Sequence, residues 1–424
     1  MLKKIMPLAL VALLGMLVLT ACGPGDNTPV ATTTIAAAVT TTSGAVATTT
    51  SAAATSASGD ILIGLMGPFT GPGATFGTAI RNGAQMAVAD VNKAGGINGR
   101  QVKLIERDDV SKADLGVQGI NDLISKEKVF ALFGTANSAV GVVQAPIVNQ
   151  SKIPWVIPVT TGTAITQDVT STPSYIFRNS MVDSEQAPFT AEYAIKAGYK
   201  KIALMSDATA YGQGGRNDVK KALAAANITL VADETYNVPN TEDDMKPVIS
   251  RIKASGADVI LNWGLGAEAG NIRKAQADVN FTIPMIGSWG LALPSYVTLA
   301  GNTLANGTLI GQTFLQDTPP TTKGADFVTR YKKDYNTDIL NFPSGLAQSY
   351  DGMHMLLEAM KQPGADTDKS KLRDALENLA SYDGIIKTYT NPWKVSDTKK
   401  YHDALARTDF VMAVWKDGKL VKNQ

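Results

Sequence analysis

From residue 60 onward, short continuous apolar runs alternate with longer stretches in which apolar residues recur every three or four positions. The first kind reads as strands buried on both faces, the second as amphipathic helices. Ile61–Met66 is a strand, a loop follows over Gly67–Gly73, and a helix runs from about Thr75 to Ala94, with Ile80, Ala84, Ala87, Val88 and Val91 on one side and Gly95-Gly96 as its stop. Val102–Arg107 is the next strand, and Ala113–Lys126 the next helix. The runs VFALF and IPWVIP, between Val129 and Pro158, are two more strands. After an irregular segment from Thr166 to Arg178 the alternation resumes. Helices are predicted at Ser184–Ala197, Tyr211–Ala225, Asp243–Ala254 and Ala267–Ala277, and strands at Ile202–Ser206, Thr229–Glu234, Val259–Trp263 and Met285–Gly287. Thr308–Phe314 and the helices Thr322–Tyr335 and Ser344–Lys361 read as a return towards the first unit, and Phe410–Trp415, ending at Asp417-Gly418, as a last strand or hairpin. Strict alternation of this kind predicts an α/β fold of two similar, doubly wound lobes, each a parallel sheet covered by helices, with a cleft between them as the default ligand site.

Candidate chemistry concentrates between Val129 and Thr166, where two successive strands each run into a small, hydroxylated turn, GTANSA and VTTGTA. At the carboxyl ends of parallel strands the following helices offer unpaired backbone N–H groups and positive dipole ends. Asn137, Ser138, Thr160, Thr161 and Thr163 add hydroxyl and amide groups without formal charge, which suits a carboxylate better than a polyphosphate. Ordinary helix capping by Ser, Thr and Asn is the competing explanation. Aromatic residues also follow predicted strands: Phe76 beside the first loop, Tyr211 after Ser206-Asp207, and Trp289 in Gly287-Ser288-Trp289-Gly290. Core packing explains each singly; together they are able to wall an apolar ligand.

The amino terminus changes the picture of where this chemistry operates. Lys3 and Lys4 precede an apolar stretch from Ile5 to Leu19 that is too short for an ordinary membrane span and reads as an export leader over 1–21. It ends at Leu19-Thr20-Ala21-Cys22, similar to a bacterial lipoprotein box, so Cys22, the only cysteine, is expected to carry a lipid. Residues 22–59 are dominated by Ala, Thr, Ser, Gly and Val and form a predicted disordered tether. Removing Lys3 and Lys4 with the leader turns the formal charge from +1 to −1, which leaves no basic excess for nucleic acid.

Other motifs are weaker. GPGATFG, Gly71–Gly77, resembles a dinucleotide fingerprint, but its spacing is GxGxxxG, and Pro68 and Pro72 remove donors from the loop. His354 and His402 are the only histidines, and GxSxG, HExxH and GxxxxGK[ST] are absent from the sequence. Asp108-Asp109 and Asp243-Asp244 read as solvated loop charges, since adjacent side chains point apart. A binding protein is expected, not an enzyme, with no cofactor and no metal.

GPFTGPGATFGTAIRNGAQMAVADVNKAGGINGRQVKLIERDD, the central stretch and DATAYGQGG together resemble the type I periplasmic solute-binding proteins of branched-chain amino acid ATP-binding cassette (ABC) transporters, in family order and over nearly the whole chain from Asp60. The resemblance implies a hinged binder that closes on a small solute and delivers it to a membrane permease, with one lobe from 60–180 and 312–392 and the other from 181–311 and 393–424. It implies that Ser138, the backbone around Val159 and Thr160, and Thr161 hold a carboxylate. Phe76, where the family often has tyrosine, and Tyr211 would line the cleft. Where leucine-selective members carry a tyrosine and then an acid for the ammonium, this chain has Leu265 and Trp289, leaving Asp207, Asp183 or Glu268 to supply that charge. The ligand class implied is a branched-chain or other hydrophobic amino acid, with an aromatic acid, a short amide or urea as the alternative. A sensor ectodomain and a secreted enzyme are the readings from other classes.

Overall fold

The computed structural model describes residues 59–167, 173–397 and 399–424. The leader, Cys22 and the tether up to residue 58 lie outside the described residues. Along the first part of the chain run β1 (Ile61–Gly67), α1 (Ala74–Lys93), β2 (Val102–Asp108), α2 (Ala113–Asn121), β3 (Ala131–Phe133), α3 (Ser138–Ser151), β4 (Trp155–Ile157), α4 (Ala164–Gln167) and β5 (Ile176–Arg178). Their strands form one parallel sheet in the order β2-β1-β3-β4-β5. The second part contains α5 (Asp183–Lys196), β6 (Ile202–Asp207), α6 (Ala210–Ala225), β7 (Ala232–Tyr236), α7 (Glu242–Ala254), β8 (Val259–Trp263), α8 (Gly266–Asp278), β9 (Met285–Gly287), α9 (Pro294–Ala305) and β10 (Leu309–Gln312). After α10 (Thr322–Asp334), α11 (Pro343–Met360), α12 (Lys369–Glu377) and the small hairpin β11 (Ser381–Asp383) and β12 (Thr388–Thr390), the chain ends with β13 (Val411–Lys416) and β14 (Lys419–Lys422). The second sheet has the order β14-β13-β10-β9-β8-β6-β7 and is parallel except for the terminal hairpin, which adds antiparallel to β10.

The apolar periodicity of α1 is realised as read: Ile80, Ala84, Ala87, Val88 and Val91 are buried. The helix packs on α11, where Asn82 donates to the Tyr331 hydroxyl of α10 at 2.9 Å and Asp90 receives Arg330 and Tyr350, each at 2.8 Å. Four expectations are corrected. Thr308–Phe314 does not return to the first sheet; its strand pairs with β9 and β13 in the second, because Ile310 and Gln312 are buried there. The helix from Ala113 gives way to a wider π turn over Asp122–Lys126. The irregular segment before Arg178 contains β5, whose Arg178 is wholly buried because its guanidinium donates to Thr161 O at 2.6 Å and Gly162 O at 2.8 Å and pairs with Asp403 at 3.2 Å. Asp109 is not a solvated charge: it is fully buried and accepts from the Thr135 hydroxyl at 2.6 Å and Ser111 N at 2.8 Å. Asp243 is exposed, as expected, and Asp244 closes a capping box with Thr241.

The first loop is a packing device. A Cβ on Gly77 would lie 2.2 Å from the Pro68 carbonyl oxygen, so the glycine permits the close return of α1 onto β1. Among the described residues no helix is long and apolar enough to cross a membrane.

Candidate functional site

Each sheet reverses its strand order once, between β1 and β3 in the first and between β6 and β8 in the second. The crevice beyond the carboxyl ends of the strands at such a reversal is where open α/β sheets bind ligands. The sequence-derived candidates follow these ends: Phe76 after β1, Ser138 after β3, Val159–Thr161 after β4, Tyr211 after β6, Leu265 after β8 and Trp289 after β9.

The turn after β3 depends on Gly134, which has φ +109° and whose Cβ, if present, would sit 1.9 Å from the Met66 carbonyl oxygen. Only glycine lets the chain bend there, and the bend delivers Ser138 as the first residue of the 14-residue α3. Asn137, in the capping position, makes no side-chain cap bond, and its Oδ1 is buried without a partner. Simple capping therefore does not account for this turn. The turn after β4 leads into only the four residues of α4, so it contributes its own groups in place of a long helix dipole. The two turns touch: Ser138 Oγ lies 2.9 Å from where a Cβ on Gly162 would be.

Thr160 and Thr161 differ in what they leave available. Thr160 sends its hydroxyl to Thr135 O at 2.6 Å and its N–H to the same oxygen at 3.3 Å, so both groups are committed to joining the turns. The Thr161 carbonyl accepts from Arg178 and from Asp183 N at 2.9 Å, and the Thr161 hydroxyl faces the Asp183 carboxylate.

Among the three acids, Asp207 turns its Oδ1 to Thr209 N, the Thr209 hydroxyl and Gly212 N, fastening the start of α6. Glu268 is buried on α8, where it and Asp207 both act on Tyr236, whose hydroxyl donates to Asn262 at 2.9 Å. Asp183 starts α5 and is completely buried. Its Oδ1 takes a long bond of 3.4 Å from Gln186, and its Oδ2 has no hydrogen-bond partner. Burial pushes its carboxyl up to about 7; the Thr161 hydroxyl opposes that, Asp218 adds to it, and Arg178 opposes it again.

Aromatic rings close the apolar side. Phe76 meets Phe342 edge to face at 5.0 Å between centroids, and Phe342 meets Trp289 at 4.7 Å. Trp289 is also held by its N–H to Gln186 Oε1 at 2.6 Å. Tyr211 lies 6.5 Å from Trp263, and its hydroxyl is buried without a hydrogen bond, as is the Trp263 indole N–H. Burial raises the Tyr211 phenol well above its ordinary value, and the nearby Asp183 adds to this. Leu265 is half-buried, in contact range of Gly290 beside Trp289. The first-sheet turn reaches the second lobe through the Thr163 hydroxyl, which donates to Asp218 of α6 at 2.6 Å while accepting Ser184 N at 3.0 Å.

Phe342, Trp263, Gln186 and Asp218 escaped the sequence reading. Phe342 carries a local signal, standing just before the Pro343 that opens α11. Trp263 carries none, since its indole fits only because residue 215, on another element, is glycine: a Cβ there would lie 1.9 Å from Nε1.

The chain that builds these two α/β lobes matches the family model for periplasmic binding proteins over residues 60–419. The chain belongs to that family. This periplasmic binding protein is 28% identical to the Leu/Ile/Val-binding protein homolog 3 of Brucella melitensis, over 86% of its own length and 94% of that protein. Its fold is similar to the branched-chain amino acid transporter substrate binding protein LivJ of Streptococcus pneumoniae in complex with isoleucine, with TM-score 0.73, 25% identity and coverage of 85% and 97%. It is equally close in fold to an ABC transporter solute binding protein of R. palustris in complex with benzoate, with TM-score 0.73, 24% identity and coverage of 86% and 95%. Members of the family are solute-binding components of ABC transporters rather than enzymes, so a small molecule and a membrane permease are the partners of this periplasmic binding protein.

Proposed function

We propose that this chain is the exported, lipid-anchored substrate-binding subunit of an ABC importer. It takes a small carboxylate, a branched-chain or other hydrophobic amino acid, by closing the lobe built from 60–180 and 312–392 on the lobe built from 181–311 and 393–424. It performs no chemistry on the solute. The observation that carries the reading is the pair of touching turns, in which Ser138 and Thr161 lie buried beside an aromatic wall made by both lobes. Ser138, the backbone at Val159 and the Thr161 hydroxyl hold the carboxylate, while Phe76, Tyr211, Leu265 and Trp289 enclose the side chain. Thr160 supports this set by bracing the turns. Charge-assisted hydrogen bonds of about 1.5 to 3 kcal/mol each supply much of a micromolar affinity of about 8 kcal/mol, before ordering costs.

An aromatic acid is the second reading. It is favoured by the continuous contact of Phe76, Phe342 and Trp289, a surface suited to a flat ring. A thermal-shift panel of amino acids, aromatic acids, short amides and urea separates the two. Stabilisation rises with saturation for a ligand that binds only the folded chain, so the true class is the one whose shift grows with concentration in the micromolar range. A panel in which only amides or urea shift the melt overturns the carboxylate reading. The anchor is tested by mass spectrometry of the membrane-extracted chain: diacylglycerol on Cys22 is expected, and an unmodified amino terminus overturns it.

A further inference from the structure

Among the described residues the chain passes between the two sheets three times: from β5 to α5, from β10 to α10, and from β12 to β13. All three passages are fastened to one helix. α11 carries Ser344, Gln348 and Asp351 at steps of four and three residues, which puts them on one face, and all three are fully buried. Polar groups buried in this way need bonded partners, and here the passages supply them. At the first, Asn179 follows β5 and donates from Nδ2 to the Gln348 carbonyl at 2.9 Å. Gly352 permits that approach, since a Cβ there would already lie 3.3 Å from the Asn179 Cβ. At the second, Ser344 Oγ donates to Gln312 Oε1 at 2.7 Å and accepts Thr313 N and Phe314 N, each at 3.2 Å, while Gln348 Nε2 donates to the Thr313 hydroxyl at 2.9 Å. At the third, Asp351 accepts Ile385 N and Ile386 N in the hairpin turn, and the next residue, Lys387, donates at 2.7 Å to Asp409, just before β13.

We propose that the Ser344–Gln348–Asp351 face of α11 is the pivot of lobe closure, and that Gln348 is a positioning residue through which this helix sets the affinity for every solute alike. This rests on the closure proposed above. Gln348 is placed for the part because it is bonded to two passages at once, through its side chain to Thr313 and through its carbonyl to Asn179. Where the lobes meet they also hold one another, through Thr163 and Asp218 and through Phe342 and Trp289. Once they part, only the passages join them. Releasing one passage from α11 therefore adds conformations to the open side alone, and a solute has to reverse that before it is enclosed. The loss is the same whatever the solute, because it falls on the equilibrium between open and closed chains and not on a ligand contact.

The test measures the distance between the lobes of the detergent-solubilised full chain by pulsed dipolar spectroscopy, together with calorimetric affinities. Spin labels are carried on p-acetylphenylalanine in place of Val142 of α3 and Gln213 of α6, both exposed and on helices that meet across the lobes, so that Cys22 is left untouched. Gln348→Ala is expected to widen the solute-free distances towards longer values. It is also expected to weaken those of isoleucine, phenylalanine and benzoate that the wild type binds by one common factor of about fivefold, the worth of freeing about one residue of backbone. Thr313→Val breaks the same bond from its other side, so it should match Gln348→Ala, and the double variant should add nothing further. Asn82→Ala removes the bond to Tyr331, between α1 and α10, and should lower the melt without moving the distances. A Gln348→Ala chain whose distances move no more than those of Asn82→Ala overturns the proposal, as does a loss of affinity that differs from solute to solute. If Gln348→Ala does not fold, Thr313→Val decides by the same readings. If solute leaves the wild-type distances unchanged, the closure reading itself fails; if the wild type closes and both variants behave as it does, the pivot alone fails.

Discussion

The Thr160 hydroxyl donates to Thr135 O at 2.6 Å, whereas that of its neighbour Thr161 faces Asp183, so substitutions at the two positions should separate cleanly. Thr161→Ala and Ser138→Ala are each expected to weaken solute binding by about 10-fold or more. Thr160→Ala should instead act mainly on stability, lowering it by about 1 kcal/mol through the lost brace, as read by urea unfolding. Asp183 adds a pH signature. Its carboxyl titrates at about 7 in the free chain, with burial as the main cause and Arg178 of β5, Asp218 and Tyr211 of α6, and Trp263 of β8 around it. If the ammonium of an amino acid ligand reaches Asp183 it favours the ionised form, and then below about pH 7 binding expels a proton and affinity rises as pH rises towards 7. Titrations at pH 6 in buffers of different ionisation enthalpy read that proton directly; identical heats would contradict it.

At the scale of elements, strand and helix order was legible because buried parallel strands and amphipathic helices write different apolar periods. What was not legible has physical causes. β5 was hidden because Arg178 is an unlikely strand interior until the turn carbonyls and Asp403 that satisfy it are in place. Asp109 looked solvated because its partner, the Thr135 hydroxyl, comes from a different turn. The candidate set on the turns was readable from local composition, but Phe342 and Trp263 depend on long-range neighbours. Two elements support predictions. Gly134→Ala forces a side chain into a positive-φ position against Met66 O and should cost at least about 2 kcal/mol, measured as a lower urea midpoint. Asp351 of α11 accepts Ile385 N at 2.8 Å and Ile386 N at 3.0 Å, and so fastens the β11–β12 hairpin, while burial raises its carboxyl to about 7. A raised folded-state value means that its protonated form is the stabilised one. The contribution is whole below the unfolded value of about 3.9 and is lost as pH rises towards 7. The stability of the wild type relative to Asp351→Asn should therefore fall between about pH 4 and about pH 7.

For the whole molecule, the two sheets form halves of one binding device, because Thr163 of the first reaches Asp218 of the second and Phe342 reaches Trp289. A ligand touching both lobes draws the population towards the arrangement in which those contacts are made. Solute should therefore reduce the radius of gyration in small-angle scattering, and Thr163→Val should require about tenfold more solute for the same change. The central claim is that closure is driven by a carboxylate seated between Ser138 and Thr161. Its most direct test is the calorimetric titration of the tightest-binding carboxylate from the ligand panel into the wild type and into Ser138→Ala/Thr161→Ala. The account predicts micromolar binding in the first and a loss of about 100-fold or more in the second, measured below its melting transition. Undiminished binding by the double variant would contradict it.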